Sequence, residues 1–325
     1  MNFLIIRLSS LGDIILTQAV VASLRRHFPN CRITFVCKEA FADIVRMMGS
    51  NIEVLIWREK LSFFKELREQ EYDVAIDLHG KLASHLITLL AKAPRKYRYQ
   101  KQRKLRQQIV KHKTEERISS TVDLYFSALT ELLPDERGEQ PKLYPHLLVK
   151  EEPALPEAWE GKKVIAIFAG AAHFTKTYPL TQYRDFLRLA KDDWRFIFLG
   201  SEAEKELSEA IRSSFEAISI NQCGAYDLAS LAGLLQKADL VISSDSGPMH
   251  LAAALGCRQI AIFGSTHPRL GFAPLNPKAE VLCADLPCQP CTLHGRESCP
   301  LGHWDCMTQI PPQMLFETVE QSLSD

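Results

Sequence analysis

Residues 238–265, ADLVISSDSGPMHLAAALGCRQIAIFGS, constrain the fold more than any other stretch of the chain. Residues 240–243 form a short apolar run without alternation, which is typical of a strand covered on both faces in a parallel sheet. Residues 249–255 read as an Ala- and Leu-rich helix, and Gly256 stands where helices commonly end on a left-handed residue. Residues 259–263 then supply a second buried strand. The segment predicts a strand, loop, helix and strand of an α/β fold.

The loop inside this unit predicts an anion site. It reads Ser244-Asp245-Ser246-Gly247-Pro248 and leads into the helix N-terminus, where free N–H groups and the helix dipole favour a phosphate. The structural alternative is that Ser246 or Asp245 only caps the helix and that Pro248 is its first residue. His250 in the first helical turn favours the anion site, as does Gly264-Ser265-Thr266 after the next strand. Both loops then line one crevice, because ligands of open α/β sheets bind outside the carboxyl ends of strands.

The remainder of the chain repeats this alternation of strands and helices. Further strand-like runs are residues 2–6, 32–37, 53–56, 73–77, 164–168, 196–199 and 218–220. Helical patterns lie between them, at residues 14–28, 41–48, 61–70, 81–91, 120–133, 181–191, 202–214 and 227–237. The alternation predicts two parallel, doubly wound sheets, joined by a Pro-containing linker over residues 134–156. We expect an N-terminal domain over 1–156, a C-terminal domain over 157–310, and a last helix over 311–325 that can pack back on the N-terminal domain.

The turn after the first strand does not carry a nucleotide fingerprint. It reads Arg7-Leu8-Ser9-Ser10-Leu11-Gly12-Asp13 and has one glycine, unlike GxGxxG or GxxxxGK[ST]. This disfavours a dinucleotide-dependent oxidoreductase.

Charge and hydropathy exclude several other classes. With 39 basic and 39 acidic residues the formal net charge is zero, so no overall field favours nucleic acid. No apolar run approaches the ~20 residues that span a bilayer. The N-terminus runs straight into a strand and lacks the basic region and cleavage site of a signal peptide. We expect a cytoplasmic protein.

One segment departs from this neutral background. Residues 92–113 contain ten Lys or Arg and no Asp or Glu, with Tyr97 and Tyr99 interleaved. The run is either a solvated flexible face or a docking surface for an anionic acceptor or anionic lipid head groups. Nucleic acid is disfavoured, because no stacking motif or known module accompanies the run.

Cysteines are concentrated near the C-terminus. Five of the nine, Cys283, Cys288, Cys291, Cys299 and Cys306, share one loop with His294 and His303. The Cys288 to Cys291 interval has zinc-knuckle spacing, but the spacing that follows is not that of a common zinc module. The thiols are therefore either ligands of a structural metal or ordinary packed and solvent-facing side chains.

Several motifs together resemble one family. The segments Asp245-Ser246-Gly247-Pro248-Met249-His250, Ala252-Ala253-Ala254 and Phe263-Gly264-Ser265-Thr266-His267-Pro268 resemble the nucleotide-sugar signature of the lipopolysaccharide heptosyltransferases, glycosyltransferase family 9. Residues 7–13 resemble the opening of that family's acceptor domain, and Lys176-Thr177-Tyr178-Pro179 resembles its Lys-x-aromatic-Pro element. Residues 288–306 resemble a Cys-rich tail of some members.

The resemblance implies a GT-B fold, with two Rossmann-like doubly wound domains facing across a cleft. It implies an inverting transfer of heptose from ADP-L-glycero-D-manno-heptose to Kdo or heptose of the lipopolysaccharide inner core, with no metal or other cofactor required. The implied partners are the nucleotide-sugar donor, a lipid A–Kdo or core oligosaccharide acceptor, and inner-membrane lipid at the cytoplasmic face; nucleic acid is not among them.

The resemblance also suggests site residues. Asp13 is the candidate base for the acceptor hydroxyl, although an Asp at a helix start can be a cap only. Candidate donor-binding residues are Lys176, Glu202, Asp245, Ser246, Gly247, Pro248 and His250, with Asp245 and Glu202 assigned to sugar or ribose hydroxyls. Candidate acceptor-binding residues are Ser9, Ser10, Gly12, Arg103, Lys104 and Arg106. Ala171 and Ala172 stand where some members that act on the first heptose have hydroxyl residues, which leaves the transfer step open.

Two alternatives stay open at the level of sequence. One is a GT-B transferase or epimerase that uses another nucleotide sugar, such as a UDP-hexose. The other is a nucleotide-sugar-binding protein without catalytic activity, which the presence of Asp13 disfavours.

Overall fold

The computed structural model describes residues 1–148 and 153–324 and divides the chain into two compact units. Unit 1 comprises Met1–Gln102 and Ser120–Lys150, and unit 2 comprises Arg103–Ser119 and Glu151–Asp325. The predicted linker, 134–156, includes residues 149–152, which lie outside the described residues.

Unit 1 contains a five-stranded parallel sheet of order β3-β2-β1-β4-β5. Its strands are β1 (Asn2–Ile6), β2 (Arg32–Cys37), β3 (Ile52–Ile56), β4 (Val74–Asp77) and β5 (Arg95–Arg98). Its helices are α1 (Leu11–Leu16), α2 (Gln18–His27), α3 (Ala42–Arg46), α4 (Leu61–Glu69), α5 (Leu82–Leu90) and α7 (Thr121–Phe126). The central strand β1 is buried from Phe3 to Ile6 because it is covered on both faces, as its unbroken apolar run predicts.

Unit 2 contains a six-stranded parallel sheet of order β11-β10-β9-β6-β7-β8. Its strands are β6 (Lys163–Phe168), β7 (Trp194–Phe198), β8 (Ser219–Asn221), β9 (Leu240–Ser244), β10 (Gln259–Phe263) and β11 (Ala279–Cys283). Its helices are α6 (Arg103–His112), α8 (Leu180–Arg188), α9 (Lys205–Arg212), α10 (Leu228–Leu235), α11 (Gly247–Ala254), α12 (Asp305–Thr308) and α13 (Pro312–Ser324).

In each sheet the chain reverses its winding direction at one point. In unit 1 this switch lies between β1 and β4, and in unit 2 it lies between β6 and β9. Loops that leave the carboxyl ends of such a strand pair diverge and open a crevice, the usual ligand site of doubly wound sheets. The fold therefore marks one candidate binding edge in each unit.

The structure differs from the predicted elements near the first site. The predicted helix over residues 14–28 is broken at Thr17, whose hydroxyl donates to the Ile14 carbonyl at 2.6 Å and ends α1. The predicted helix over 120–133 ends at Phe126, because Ser127 bonds back to Leu124 through both its hydroxyl and its N–H. Strands β5 and β11 were not predicted.

The basic run is ordered. Residues 95–98 form β5 and residues 103–112 form α6, so the flexible alternative is wrong for these residues. Ile109 of α6 is fully buried, and α6 belongs to unit 2, whereas β5 belongs to unit 1. The run is therefore shared between the two units and divides after Gln102.

The C-terminal helix α13 lies in unit 2. Its residues Leu315 and Val319 are buried in the core that contains Phe186 of α8 and Ile260 of β10. Its apolar face is therefore used within unit 2, and the expectation that the helix packs back on the N-terminal domain stays a prediction.

Candidate functional site

Asp13 lies at the switch point of unit 1. It is the third residue of α1, which follows β1 after a short turn. The Arg7 side chain spans the gap to β4 by donating to the Leu78 carbonyl at 2.6 Å. The strand order thus places Asp13 at the edge where a ligand is expected.

The Asp13 carboxylate is held by three side chains. Arg7 forms an ion pair with it, the Ser10 hydroxyl donates to Oδ2 at 2.8 Å, and the Tyr125 hydroxyl donates to Oδ1 at 3.1 Å. The Arg7 side chain is 7% exposed, whereas that of Asp13 is 28% exposed. The backbone N–H of Ser10 also approaches Oδ2, at 3.4 Å, which is a capping contact of α1. Asp13 therefore caps its helix and still presents its carboxylate to solvent.

The environment keeps Asp13 ionised. Burial alone raises the pKa of a carboxyl group, but the Arg7 charge and the hydrogen bonds from Ser10 and Tyr125 hold the pKa of Asp13 below its ordinary value. The pKa of Tyr125 is raised well above its ordinary value, chiefly by burial. At neutral pH the pair is thus a carboxylate and a protonated phenol.

Polar groups at the carboxyl end of β4 were not predicted from the sequence to belong to a site. Asp77 is fully buried and accepts from the N–H groups of His79 (2.9 Å) and Gly80 (2.8 Å) and from Arg98 Nε (3.1 Å). Burial, followed by the charge of Arg7, lowers the pKa of His79 to about 4, so the imidazole is neutral at physiological pH. The position of Asp77, His79 and Gly80 at the carboxyl end of a buried strand was the sequence signal that could have found them.

Lys176 and Asp245 form the second site, at the switch point of unit 2. Lys176 follows β6 and Asp245 follows β9, the two strands at which the winding reverses. Lys176 Nζ lies 3.0 Å from Asp245 Oδ2, and the Thr266 hydroxyl donates to the same oxygen at 2.7 Å. The Asp245 side chain is 7% exposed. Asp245 was assigned to sugar or ribose hydroxyls, which stays a prediction; in the structure its carboxylate orients Lys176 and Thr266.

A hydrogen-bond framework fixes the loop of Lys176 against the loop after β10. The Thr175 and Ser265 hydroxyls are 2.8 Å apart, and the Ser265 N–H donates to the Thr175 carbonyl at 3.2 Å. The Arg296 N–H donates to the Thr175 hydroxyl at 2.8 Å. A Cβ at Gly264 would lie 2.6 Å from the Thr175 carbonyl oxygen, so only glycine allows this approach.

The N-terminus of α11 adjoins this pair in sequence. Ser246 is the N-cap residue, but its side chain does not cap the helix; its hydroxyl donates to the Ser244 carbonyl at 3.2 Å. Gly247 and Pro248 form the first turn and are half-buried, and His250 is buried. The predicted strand, loop and helix are confirmed here, and the helix N–H groups are not satisfied by a Ser246 cap.

Glu202 lies on the loop after β7, the strand next to β6. It starts the turn after β7, which is separated from β9 by β6, and its largely exposed carboxylate is 3.1 Å from Lys205 Nζ. A Cβ at Gly224 would lie 2.2 Å from Glu202 Oε2, so the loop after β8 passes close to this carboxylate. Its assignment to the donor stays a prediction.

The predicted acceptor-binding residues fall into two groups. Ser9, Ser10 and Gly12 surround Asp13 in unit 1, with Ser9 half-buried and Ser10 exposed. The second group, on α6 in unit 2, comprises the exposed Arg103 and Lys104 and the half-buried Arg106. The Arg106 guanidinium lies 4.7 Å from the centroid of the Phe272 ring, a cation–π contact that gives this residue a packing role.

The cysteine loop lies against the framework that holds Lys176. Cys288, Cys291, Cys299 and Cys306 line a cavity of about 40 Å³ together with Thr175 and Ser265. The Cys291 N–H donates to the Ser265 carbonyl at 3.0 Å. Within residues 1–148 and 153–324, no group of three or more His, Cys, Asp or Glu side chains is arranged to hold a metal ion. The bond from Cys291 to Ser265 joins the cysteine loop to the loop after β10.

Comparison with known proteins identifies the family. The sequence profile of glycosyltransferase family 9 (heptosyltransferase) matches residues 60–304, well over half of the chain. The chain belongs to glycosyltransferase family 9.

Curated relatives and solved structures agree with this assignment. The family 9 chain is 28% identical to lipopolysaccharide heptosyltransferase 1 of Pseudomonas aeruginosa, over 99% of this chain and 98% of the relative. It is 25% identical to lipooligosaccharide heptosyltransferase 2 of Campylobacter jejuni, over 97% and 96%. The structure of E. coli ADP-heptose LPS heptosyltransferase II matches with a TM-score of 0.74 and 20% identity, over 99% and 98% of the two chains. The predicted GT-B class is confirmed, and the protein is a glycosyltransferase.

In the part of the chain that the structure describes, every helix is too short or too polar to cross a membrane.

Proposed function

We propose that this glycosyltransferase moves heptose, with inversion, from ADP-L-glycero-D-manno-heptose to Kdo or heptose of the lipopolysaccharide inner core. The observation that carries the proposal is that each unit has its own polar site at a sheet switch point, and that the two sites differ in charge. Unit 1 presents an ionised carboxylate, and unit 2 presents the half-buried Lys176 ammonium beside Asp245, two residues before helix α11. Such a division suits a reaction that needs a base for one substrate and charge stabilisation for the other.

On the acceptor side, Asp13 accepts the proton of the attacking hydroxyl. A carboxylate with a lowered pKa is a weak base, so it cannot generate a free alkoxide. The hydroxyl becomes strongly acidic only as its oxygen bonds to the anomeric carbon, and the proton then moves to Asp13 late in the same step. Arg7 and Tyr125 hold the carboxylate in place and in its ionised form.

On the donor side, the leaving diphosphate develops negative charge as the glycosidic bond breaks. Lys176 and the first-turn N–H groups of α11 supply donors and positive potential for that charge. His250, in the first turn of the same helix, adds a ring N–H. Lys176, His250 and the backbone N–H groups of α11 thus stabilise the departing ADP.

The donor assignment is supported by relatives. E. coli heptosyltransferase WaaC, with a TM-score of 0.73 and 19% identity over 99% and 100% of the chains, was solved with ADP. The relatives do not favour one transfer step over the other. Relatives named heptosyltransferase 1 and heptosyltransferase 2 have nearly the same sequence identity to this chain. We therefore propose the inner core as the acceptor class, and a cytoplasmic location with it.

Nucleotide titration tests the donor class. We expect calorimetry to give at least tenfold tighter binding for ADP than for UDP, a difference of about 1.4 kcal/mol. A product assay with ADP-heptose and a lipid A–Kdo acceptor then checks the transfer itself. Equal affinities, or a preference for UDP, would replace the heptose donor with another nucleotide sugar.

Neutralising α6 tests acceptor docking. The double variant Arg103→Gln/Lys104→Gln is expected to raise the apparent KM for the acceptor roughly two- to thirtyfold, because each exposed charge pair contributes about 0.2–1 kcal/mol. The KM for the donor is expected not to change, and the acceptor effect to shrink as salt rises. Adding Arg106→Gln separates docking from packing: loss of its contact with Phe272 lowers thermal stability, whereas lost docking raises only KM. Unchanged acceptor kinetics at low salt would leave α6 a solvated face.

A further inference from the structure

Helix α5 of unit 1 is turned with its leucines outward. Leu82, Leu86 and Leu89 are 86%, 43% and 64% exposed, whereas Ser84 and Thr88 on the opposite side are buried. An ordinary surface helix of a soluble protein shows the reverse arrangement, with its apolar stripe towards the core. The spacing of four and three residues places the three leucines on one face, which we call the leucine face.

The polar groups on the buried side of the helix all have hydrogen-bond partners in the helix. The Ser84 hydroxyl donates to the Lys81 carbonyl at 2.9 Å, and the Thr88 hydroxyl donates to the Ser84 carbonyl at 2.7 Å. Both buried hydroxyls are therefore satisfied within the helix itself, and Ile87 between them is fully buried in the unit 1 core. The outward leucines are a consequence of this fixed orientation.

Basic residues precede and follow the helix that carries the leucine face. Lys81, Lys92, Arg95 and Lys96 are exposed and form what we call the basic border. Lys96 Nζ donates to the Leu89 carbonyl at 2.9 Å, which places one cation directly at the end of the leucine face. No Asp or Glu occurs in the sequence from residue 78 to residue 114. The border is therefore not neutralised by acidic residues of its own segment.

Strand β5, which carries Arg95 and Lys96, is the edge strand of the unit 1 sheet. A groove of about 260 Å³ separates it from α5 and is lined by His85, Thr88, Leu89, Lys96, Tyr97 and Arg98. Apolar side chains, an aromatic ring and cations thus lie together on one surface of unit 1. This is the composition with which proteins bind the interface of an anionic bilayer.

We propose that the leucine face and its basic border dock unit 1 onto the surface of an anionic phospholipid bilayer. The leucines enter the boundary between head groups and acyl chains, and the cations contact the lipid phosphates. A second copy of the chain fits less well, because a two-fold interface over the leucine face would bring two basic borders together. The proposal extends the proposed function, whose acceptor is lipid-linked, but binding to vesicles needs neither substrate.

Vesicle flotation of the full chain tests the proposal. We expect binding to vesicles of phosphatidylglycerol and phosphatidylcholine, and at least tenfold weaker binding to phosphatidylcholine alone. The triple variant Leu82→Gln/Leu86→Gln/Leu89→Gln is expected to lose about tenfold or more in affinity at low and at high salt. The double variant Arg95→Gln/Lys96→Gln is expected to lose affinity at low salt only, because salt screens exposed charges. Leu301→Gln is the matched control: Leu301 is 65% exposed in unit 2, and its replacement leaves binding unchanged.

Unchanged flotation of the leucine triple variant, or equal binding to neutral and anionic vesicles, would overturn the docking surface. So would a wild-type protein that does not float but forms a concentration-dependent dimer in sedimentation velocity, if the triple variant no longer forms that dimer. ADP titration of the same variants separates this proposal from the proposed function. Normal flotation without ADP binding would defeat the transferase proposal alone, and normal ADP binding without flotation would defeat only the docking surface.

Discussion

Replacing Asp13 with Asn is expected to lower kcat by about 100-fold or more, the usual contribution of a general base, while ADP affinity changes by no more than a few-fold. The amide can still accept the hydrogen bond from the Ser10 hydroxyl, but it cannot take the proton of the acceptor. Arg7 loses its ion-pair partner, yet it keeps its bonds to the carbonyls of Leu78 and Ser9. We expect a loss of stability of about 1–3 kcal/mol, measurable by thermal unfolding and too small to unfold the chain.

Two variants separate catalysis by Asp13 from its role as a helix cap. Ser10→Ala removes the 2.8 Å bond to the carboxylate and weakens the cap, but it leaves the base in place, so kcat falls less than tenfold. Asp43→Asn removes an exposed carboxylate that pairs with Arg46 at 2.8 Å on α3 of the same unit, and it is expected to change nothing in the assay. If Asp13→Asn kept its turnover and lost nucleotide affinity, or if Ser10→Ala were equally inactive, the assignment of the base would be wrong.

Local patterns were sufficient for nine of the eleven strands of the described residues and for the two switch-point loops. Strand β9 and the loop from Asp245 to His250 could be predicted from neighbouring residues alone. A strand buried on both faces has an unbroken apolar run, and a helix start has its own characteristic residues. Asp13 was named as the candidate base from the family resemblance, and that assignment stays a prediction. The strand and loop predictions held because the physical cause and the sequence signal lie within a few residues of each other.

Contacts between distant residues could not be predicted in this way. Tyr125 reaches Asp13 across 112 residues of sequence, and nothing in the local pattern of α7 indicates this partner. Helix α6 belongs to unit 2, where Arg106 contacts the Phe272 ring, a partner that no periodicity within a charged helix reveals. Such features are determined by packing between distant segments, and the local sequence of a charged run does not predict them.

The Lys176 and Asp245 pair is another such contact, and it changes how a lysine variant must be interpreted. The two residues lie on loops after different strands and are 69 positions apart, yet Nζ and Oδ2 are 3.0 Å apart. Removing the ammonium therefore does two things at once. It deletes a donor to the diphosphate, and it leaves a buried carboxylate whose negative charge opposes an anion.

Lys176→Ala and His250→Ala are each expected to weaken ADP binding roughly ten- to a hundredfold, because a hydrogen bond to a charged group contributes about 1.5–3 kcal/mol. Calorimetry with ADP measures the change, and thermal unfolding checks the fold. Lys191→Ala is the matched control, because Lys191 is an exposed unit 2 lysine that pairs with Glu320. Unchanged affinity in both site variants would move the nucleotide site elsewhere.

The double variant Lys176→Ala/Asp245→Asn resolves the two effects of losing the lysine. If Lys176 donates directly to the diphosphate, neutralising Asp245 cannot restore the missing donor, and the double variant stays within a few-fold of Lys176→Ala. If the loss came from the unpaired carboxylate, the double variant regains most of the wild-type affinity, because the repulsion is gone while the α11 N-terminus is still present. Such recovery would contradict a direct role for Lys176 and would leave the helix N-terminus and His250 as the diphosphate-binding groups.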